Sequence, residues 1–247
     1  MKPCLLVPIL LVSCAASRAD DWGSIRGQIV VEGEIPERPL LIARGAGIKD
    51  TAVCAAEDHY AEDMIIDKES KGLANVFVYL AKKPKNIHPD LIEVSDKPVS
   101  FEIVGCQFKP HALFCRAGGQ IEVKGTDTIA HNHHLYPLKN SSSCSLVSPG
   151  GGTDLYRPQV AESLPFTVRC DFHTWMSGYW LIVDHPYAAL TDKDGKFSIN
   201  NLPVGDHEFK IWHERVGYVE RKHKVTVSAG DPVELPVMKL DITRLQK

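Results

Sequence analysis

Cys170-Asp171-Phe172-His173-Thr174-Trp175-Met176 is the stretch that most narrows what this chain can become. It spaces a thiol, an imidazole and a thioether as Cys-x2-His-x2-Met, directly after Phe166-Thr167-Val168-Arg169, which reads as a strand. Three such donors at a strand end point to a metal. Thiolate with imidazole suits copper or zinc, but thioether sulfur is soft and seldom binds zinc, so Met176 favours copper. The loop needs a fourth donor, and Asp127-Thr128-Ile129-Ala130-His131-Asn132-His133-His134 offers it. His131, Cys170, His173 and Met176 together compose a trigonal His2Cys set with a weak axial sulfur, the arrangement in which copper transfers single electrons. Four protein donors leave no open position for a substrate, so the expectation is an electron carrier and not an enzyme.

Asp127-x3-His131-Asn132-x-His134, following Gly118-Gly119-Gln120-Ile121-Glu122-Val123, resembles the first-ligand strand of the small blue copper proteins, the cupredoxins. Cys170-x2-His173-x2-Met176 is similar to their C-terminal ligand loop in the short form found in amicyanin. The match runs from about residue 98 to 183. It implies a Greek-key β-sandwich holding one type 1 copper ion, with His131, Cys170, His173 and Met176 as ligands. It also implies that Asn132, outside the ligand set, ties the two loops together, and that electrons leave through an exposed edge of His173. A redox partner protein would then dock near His173 and Trp175, with Thr174 at the border of the patch. One departure stands out: the prolines that stiffen this loop in the family are missing, and Phe172 and Thr174 flank His173.

Other copper chemistries fit less well. A multicopper oxidase needs His-x-His pairs and a His-Cys-His bridge, and a dinuclear electron-entry site needs two loop cysteines, whereas Cys170 stands alone. The metal-free alternative is a buried strand end, since Cys and Met are ordinary core residues. The separately spaced His131 motif argues against it.

Met1-Lys2 followed by the apolar run Leu5 to Val12 is too short to span a bilayer and reads as a secretory signal over residues 1–19, cleaved after Ser17-Arg18-Ala19. Export to the periplasm or the extracellular space follows. Leu11-Val12-Ser13-Cys14 also fits a lipoprotein box, and contact with a membrane is expected only if Cys14 is lipidated. Five cysteines then remain: Cys54, Cys106, Cys115, Cys144 and Cys170. An oxidising compartment favours disulfides, and the odd count spares one thiol, for which Cys170 is the natural choice. The other four allow three connectivities that sequence does not separate; Cys54 with Cys106 is favoured, and Cys115 fits a core position. A formal net charge of -3 without long runs of one sign argues against nucleic acid as a partner.

The rest of the chain reads as short strands and turns, so the class is all-β, built as two β-sandwiches. Strand candidates are Gly23 to Glu32, Met64 to Ile66, Ala74 to Leu80, Tyr179 to Val183, Lys224 to Val227 and Val233 to Val237, with a hairpin about Asp192-Lys193-Asp194-Gly195. Residues 34 to 63 are mostly irregular, with at most one helical turn at Thr51 to Glu57. Thr191-Asp192-x-x-Gly195-x-Phe197 and Leu202-Pro203-x-Gly205 resemble the prealbumin-like sandwich of carboxypeptidase regulatory domains. That resemblance implies one discontinuous domain, residues 20–97 and 184–247, into which a copper domain of residues 98–183 is inserted.

Several features carry less. Asp192-Lys193-Asp194-Gly195 lacks the distal Glu of a calcium loop and reads as a turn. Strand alternation puts His133 on the face of His131 and His134 on the other, and His111 is expected to be structural. Two other functions are weighed: a non-redox scaffold that handles copper, and a sugar-binding accessory for which Trp212 and Tyr218 are the only exposed-aromatic hint.

Overall fold

The computed structural model describes residues 21–246, and its longest helix among them is the single turn Thr51–Cys54. The expected signal segment and Cys14 lie outside the described residues. Among the described residues no helix is long and apolar enough to cross a membrane. The architecture is all-β, as expected.

Nine strands between residues 99 and 183 make two facing sheets. One runs in the order Thr153–Tyr156, Ile121–Gly125, Val99–Val104, Gln107–Lys109, and the other Cys144–Val147, His131–Leu135, Phe166–Arg169, Ser177–Val183, Ala112–Arg116. Two pairings are parallel, Val99–Val104 with Ile121–Gly125 and Ser177–Val183 with Ala112–Arg116, and both require crossovers between the sheets. Phe101, Ile103, Phe108, Ile121, Val123, Leu135, Val168 and Trp180 fill the space between. Trp180, fully buried, meets Phe101 edge-on at 4.9 Å, the preferred geometry for aromatic pairs.

Leu40–Ile42 and His59–Tyr60 pair with each other inside the mostly irregular stretch, and the other strands join the two ends of the chain. Trp22–Glu32 pairs antiparallel with Lys196–Pro203 and parallel with Val233–Glu234 and Met238–Asp241. A second sheet runs Ala188–Leu190, Phe77–Leu80, Gly205–His213, Gly217–Val227. All four residues of Phe77–Leu80 are buried because both faces of that strand are covered. Val78 and Leu80 point into the core shared with Ile25, Ile29 and Phe209, whereas Phe77 and Tyr79 point to Leu181, Val183 and Trp212. Ser177–Val183 answers in the same way, with Trp180 and Ile182 inward and Leu181 and Val183 outward. Period-2 alternation thus glues two sandwiches face to face.

That interface corrects one expectation. Trp212 is only 8% exposed, packed edge-on against Phe77 and tilted against Tyr179, and Tyr218 borders the same cluster. No exposed aromatic row exists there for a sugar. The hairpin at Asp192–Gly195 is corrected too. The turn forms, with Gly195 at φ 74° and Asp192 Oδ1 accepting from the backbone of Asp194 and Lys196. Its arms, however, join different sheets: Ala188–Leu190 pairs with Phe77–Leu80, and Lys196–Pro203 with Trp22–Glu32. The turn packs backbone to backbone on Gly72, where a Cβ would lie 1.9 Å from the Asp194 carbonyl carbon. Met64 to Ile66 contributes a single bridge, Ile66 to Leu73, in place of a strand.

Candidate metal centre

Cys170 leaves the sheet immediately after Phe166–Arg169, and the loop folds back tightly on itself. The Met176 amide donates to the His173 carbonyl at 2.9 Å and the Cys170 amide to the Met176 carbonyl at 3.2 Å. The predicted donors are all inside: Cys170 and Met176 are 2% exposed, His131 1% and His173 0%. Cys170 Sγ lies 3.7 Å from Nδ1 of His173 and 4.0 Å from Nδ1 of His131. The two rings are 4.8 Å apart.

These separations suit a shared ion. Metal bonds of about 2.3 Å to sulfur and 2.0–2.1 Å to nitrogen, opened to a trigonal angle, put the donors about 3.8 Å apart. Both rings turn Nδ1 to the sulfur because carboxylates hold their far nitrogens. Asp127 Oδ2 is 2.9 Å from Nε2 of His131, and Asp50 Oδ2 is 2.9 Å from Nε2 of His173. Carboxylates behind ligating imidazoles fix the ring and its tautomer. Burial, with the neighbouring His173 ring, lowers the pKa of His131, while Asp127 opposes the shift. A neutral ring is the form that can bind a metal.

Asn132 links the two loops. Its Oδ1 accepts from the Asp171 amide at 2.7 Å, joining the His131 strand to the Cys170 loop. His133 points to the same side as His131, with Nε2 3.1 Å from Asp154, and belongs to none of the clusters of metal-binding donors among the described residues. His111 is buried, with Nε2 against Glu214, and is part of no such cluster there either.

Asp50 and the disulfide were not foreseen as parts of the site. Cys54 and Cys106 are bonded, the pairing favoured from sequence, while Cys115, Cys144 and Cys170 are free. The disulfide borders the centre, with Cys54, Cys106 and His173 donor atoms all within 4.8 Å of one another. Asp127 secures the arrangement by accepting from the amides of Gly105 and Cys106 at 2.6 and 2.9 Å. Both of those residues have positive φ, as a tight hairpin turn requires. Asp50 takes the N-cap position of Thr51–Cys54 at φ 56°, yet its side chain makes no capping bond. It is spent on His173. Asp127 carried a sequence signal in its fixed Asp-x3-His spacing, whereas Asp50 carried none.

One consequence corrects the expected exit route. His173 has no solvent-exposed edge, because the segment around Asp50 covers it. The surface above is formed by Lys49, whose Nζ is 5.0 Å from the ring of Phe172, and by Phe172 itself, 39% exposed. Trp175 is half-buried, donating from Nε1 to the Cys106 carbonyl at 3.2 Å, and Thr174 is exposed beside it.

No protein-family model and no curated protein matches the chain. Among solved structures, a copper-containing nitrite reductase from Thermus scotoductus SA-01 is 16% identical, over 42% of this chain and 25% of its own, with a TM-score of 0.32. A reduced amicyanin variant is 14% identical over 43% of this chain and 98% of its own, with a TM-score of 0.31. A purple cupredoxin from Nitrosopumilus maritimus is 15% identical over 34% of this chain and 99% of its own, with a TM-score of 0.29. The chain therefore spans a quarter of the reductase and nearly all of each small cupredoxin. Likeness at these scores says nothing about what this chain binds.

Proposed function

We propose that this chain is an exported type 1 copper protein that passes single electrons between periplasmic or extracellular redox partners and is not an enzyme. The observation that carries the reading is the convergence of two Nδ1 atoms on one buried thiol, at 3.7 and 4.0 Å, in a loop closed by Met176. Bound there, copper would supply a one-electron couple. The Cys170 thiolate offers a soft donor, His131 and His173 offer nitrogen, and Met176 a weak sulfur. Asp127 and Asp50 keep the imidazoles from turning, and burial keeps water out. Rigid donors suit a change of charge with little movement. A partner protein would dock over Lys49, Phe172, Thr174 and Trp175.

The same proposal covers the domain plan: residues 98–183 as the copper domain, inserted into a prealbumin-like domain of residues 20–97 and 184–247. It is supported by the ladders that join Trp22–Glu32 to Lys196–Pro203 and Phe77–Leu80 to Gly205–His213. One observation favours a second reading, a copper-handling scaffold without redox traffic: His173 is fully covered. Adding copper(II) to the purified protein tests the first. A strong thiolate-to-copper band near ~600 nm with a narrow spin-resonance splitting, bleached by a one-electron donor, is the expected result. A colourless product, or a colour that no electron donor bleaches, favours the scaffold.

A further inference from the structure

On the outer face of the same sheet stands a second set of donors. In His131–Leu135 the side chains alternate, so that while His131 faces the buried centre, Asn132 and His134 face outward. Cys144 lies directly across the antiparallel ladder from His134, and Arg169, two residues before Asp171, pairs with His134 on the other side. Three neighbouring strands thereby bring an imidazole, a thiol and a carboxylate together. We infer that His134, Cys144 and Asp171 bind a divalent metal ion of the zinc class, with a fourth position open to solvent.

The distances support this. Asp171 Oδ2 lies 3.1 Å from Nδ1 of His134 and 3.5 Å from Sγ of Cys144, and donor atoms of all three residues lie within 4.8 Å of one another. Tetrahedral zinc, with bonds of about 2.0–2.2 Å to oxygen, 2.0–2.1 Å to nitrogen and 2.3 Å to sulfur, separates oxygen from nitrogen by about 3.3 Å and oxygen from sulfur by about 3.5 Å. The donors therefore already stand close to ligand spacing. Their surroundings hold them there. Asn132 Nδ2 donates to both Cys144 Sγ at 3.0 Å and Asp171 Oδ2 at 2.7 Å, the kind of outer hydrogen bond that orients ligands. The His134 ring stacks on Tyr136 at 4.3 Å, and the Tyr136 hydroxyl is 3.0 Å from Nδ1.

A nucleophile relay is the rival use of a Cys, a His and an Asp. It needs the thiol and the carboxylate at opposite ends of the imidazole. Here the thiol rests against the carboxylate itself, so the imidazole cannot mediate between them. A mixed sulfur, nitrogen and oxygen set suits zinc better than calcium or magnesium, which take oxygen. The site is distinct from the buried centre and reads independently of it, although His131 adjoins Asn132 and Cys170 adjoins Asp171.

Cobalt(II) titration of the full-length Cys170→Ser protein, which lacks the thiol of the buried centre, tests the assignment. One equivalent is expected to produce a thiolate-to-cobalt charge-transfer band, lost in Cys170→Ser/Cys144→Ser. In the unsubstituted protein, zinc is expected to slow alkylation of Cys144 by iodoacetamide at least about tenfold, read by peptide mass spectrometry; this arm does not depend on the variant folding. A missing band, a band that survives loss of Cys144, alkylation indifferent to zinc, or recovery of Cys144 in an interchain disulfide would each overturn it. None of those results touches the copper reading, which rests on Cys170.

Discussion

Asp50 Oδ2 lies 2.9 Å from Nε2 of His173, 123 residues further along the chain, and this contact closes the roof of the metal centre. A carboxylate in this position aims the imidazole and fixes its tautomer. Asp50→Asn should therefore weaken copper binding by about 10–100-fold, the usual cost of losing an outer hydrogen-bond partner. Competition with a chromophoric copper(I) chelator measures it. Unchanged affinity would mean that the loop alone orients His173.

Cys170→Ser removes the only thiol that both imidazoles face. The visible band should vanish, while far-ultraviolet dichroism stays that of the parent protein. A surviving band would assign the colour elsewhere.

The Cys54–Cys106 bridge closes a sequence separation of 52 residues and anchors the segment that carries Asp50. Cys54→Ser/Cys106→Ser should cost about 2–4 kcal/mol in urea unfolding. It should also broaden the copper spin-resonance lines as His173 gains freedom. A stability loss with unaltered lines would show that the bridge serves the fold and not the centre.

Two buried histidines give the protein opposing acid responses. Burial, with the charges of His111 and Arg215, pushes His213 down to about 4. The unfolded chain, with its histidine near ~6.5, then binds the proton first. Stability is held above about pH 6.5 and falls as the pH drops to about 4, by roughly 3 kcal/mol from this group. Burial opposes charge on His111 as well, but the Glu214 hydrogen bond and charge outweigh it, and its pKa is raised. Its stabilisation is present in acid and lost as the pH rises through that raised value. His213→Gln should flatten the fall in urea midpoint between pH 7 and 4, and His111→Gln should steepen it. Parallel profiles for all three proteins would refute the assignment.

That Cys170 and His173 would meet was legible from their spacing in one loop, and that His131 would join them from its self-contained strand motif. Asp50 was not, since it sits in an irregular segment and acts across the fold. Turn chemistry at Asp192–Gly195 announced a reversal, but not that the arms would enter different sheets, because their partners Phe77–Leu80 and Trp22–Glu32 lie far off in sequence. Trp212 looked available because residue type does not disclose a second sandwich lying over its sheet.

Trp22–Glu32 is made early and completed late. Apart from a single early bridge between Val30 and Gly72, its ladder partners arrive with Lys196–Pro203, Val233–Glu234 and Met238–Asp241. The nine strands from 99 to 183 draw on nothing outside themselves for their pairings, so they can assemble while the first strand still waits with open edges. Unpaired edges invite intermolecular association. Until its final residues appear, the growing chain therefore leaves most of that first strand unpaired.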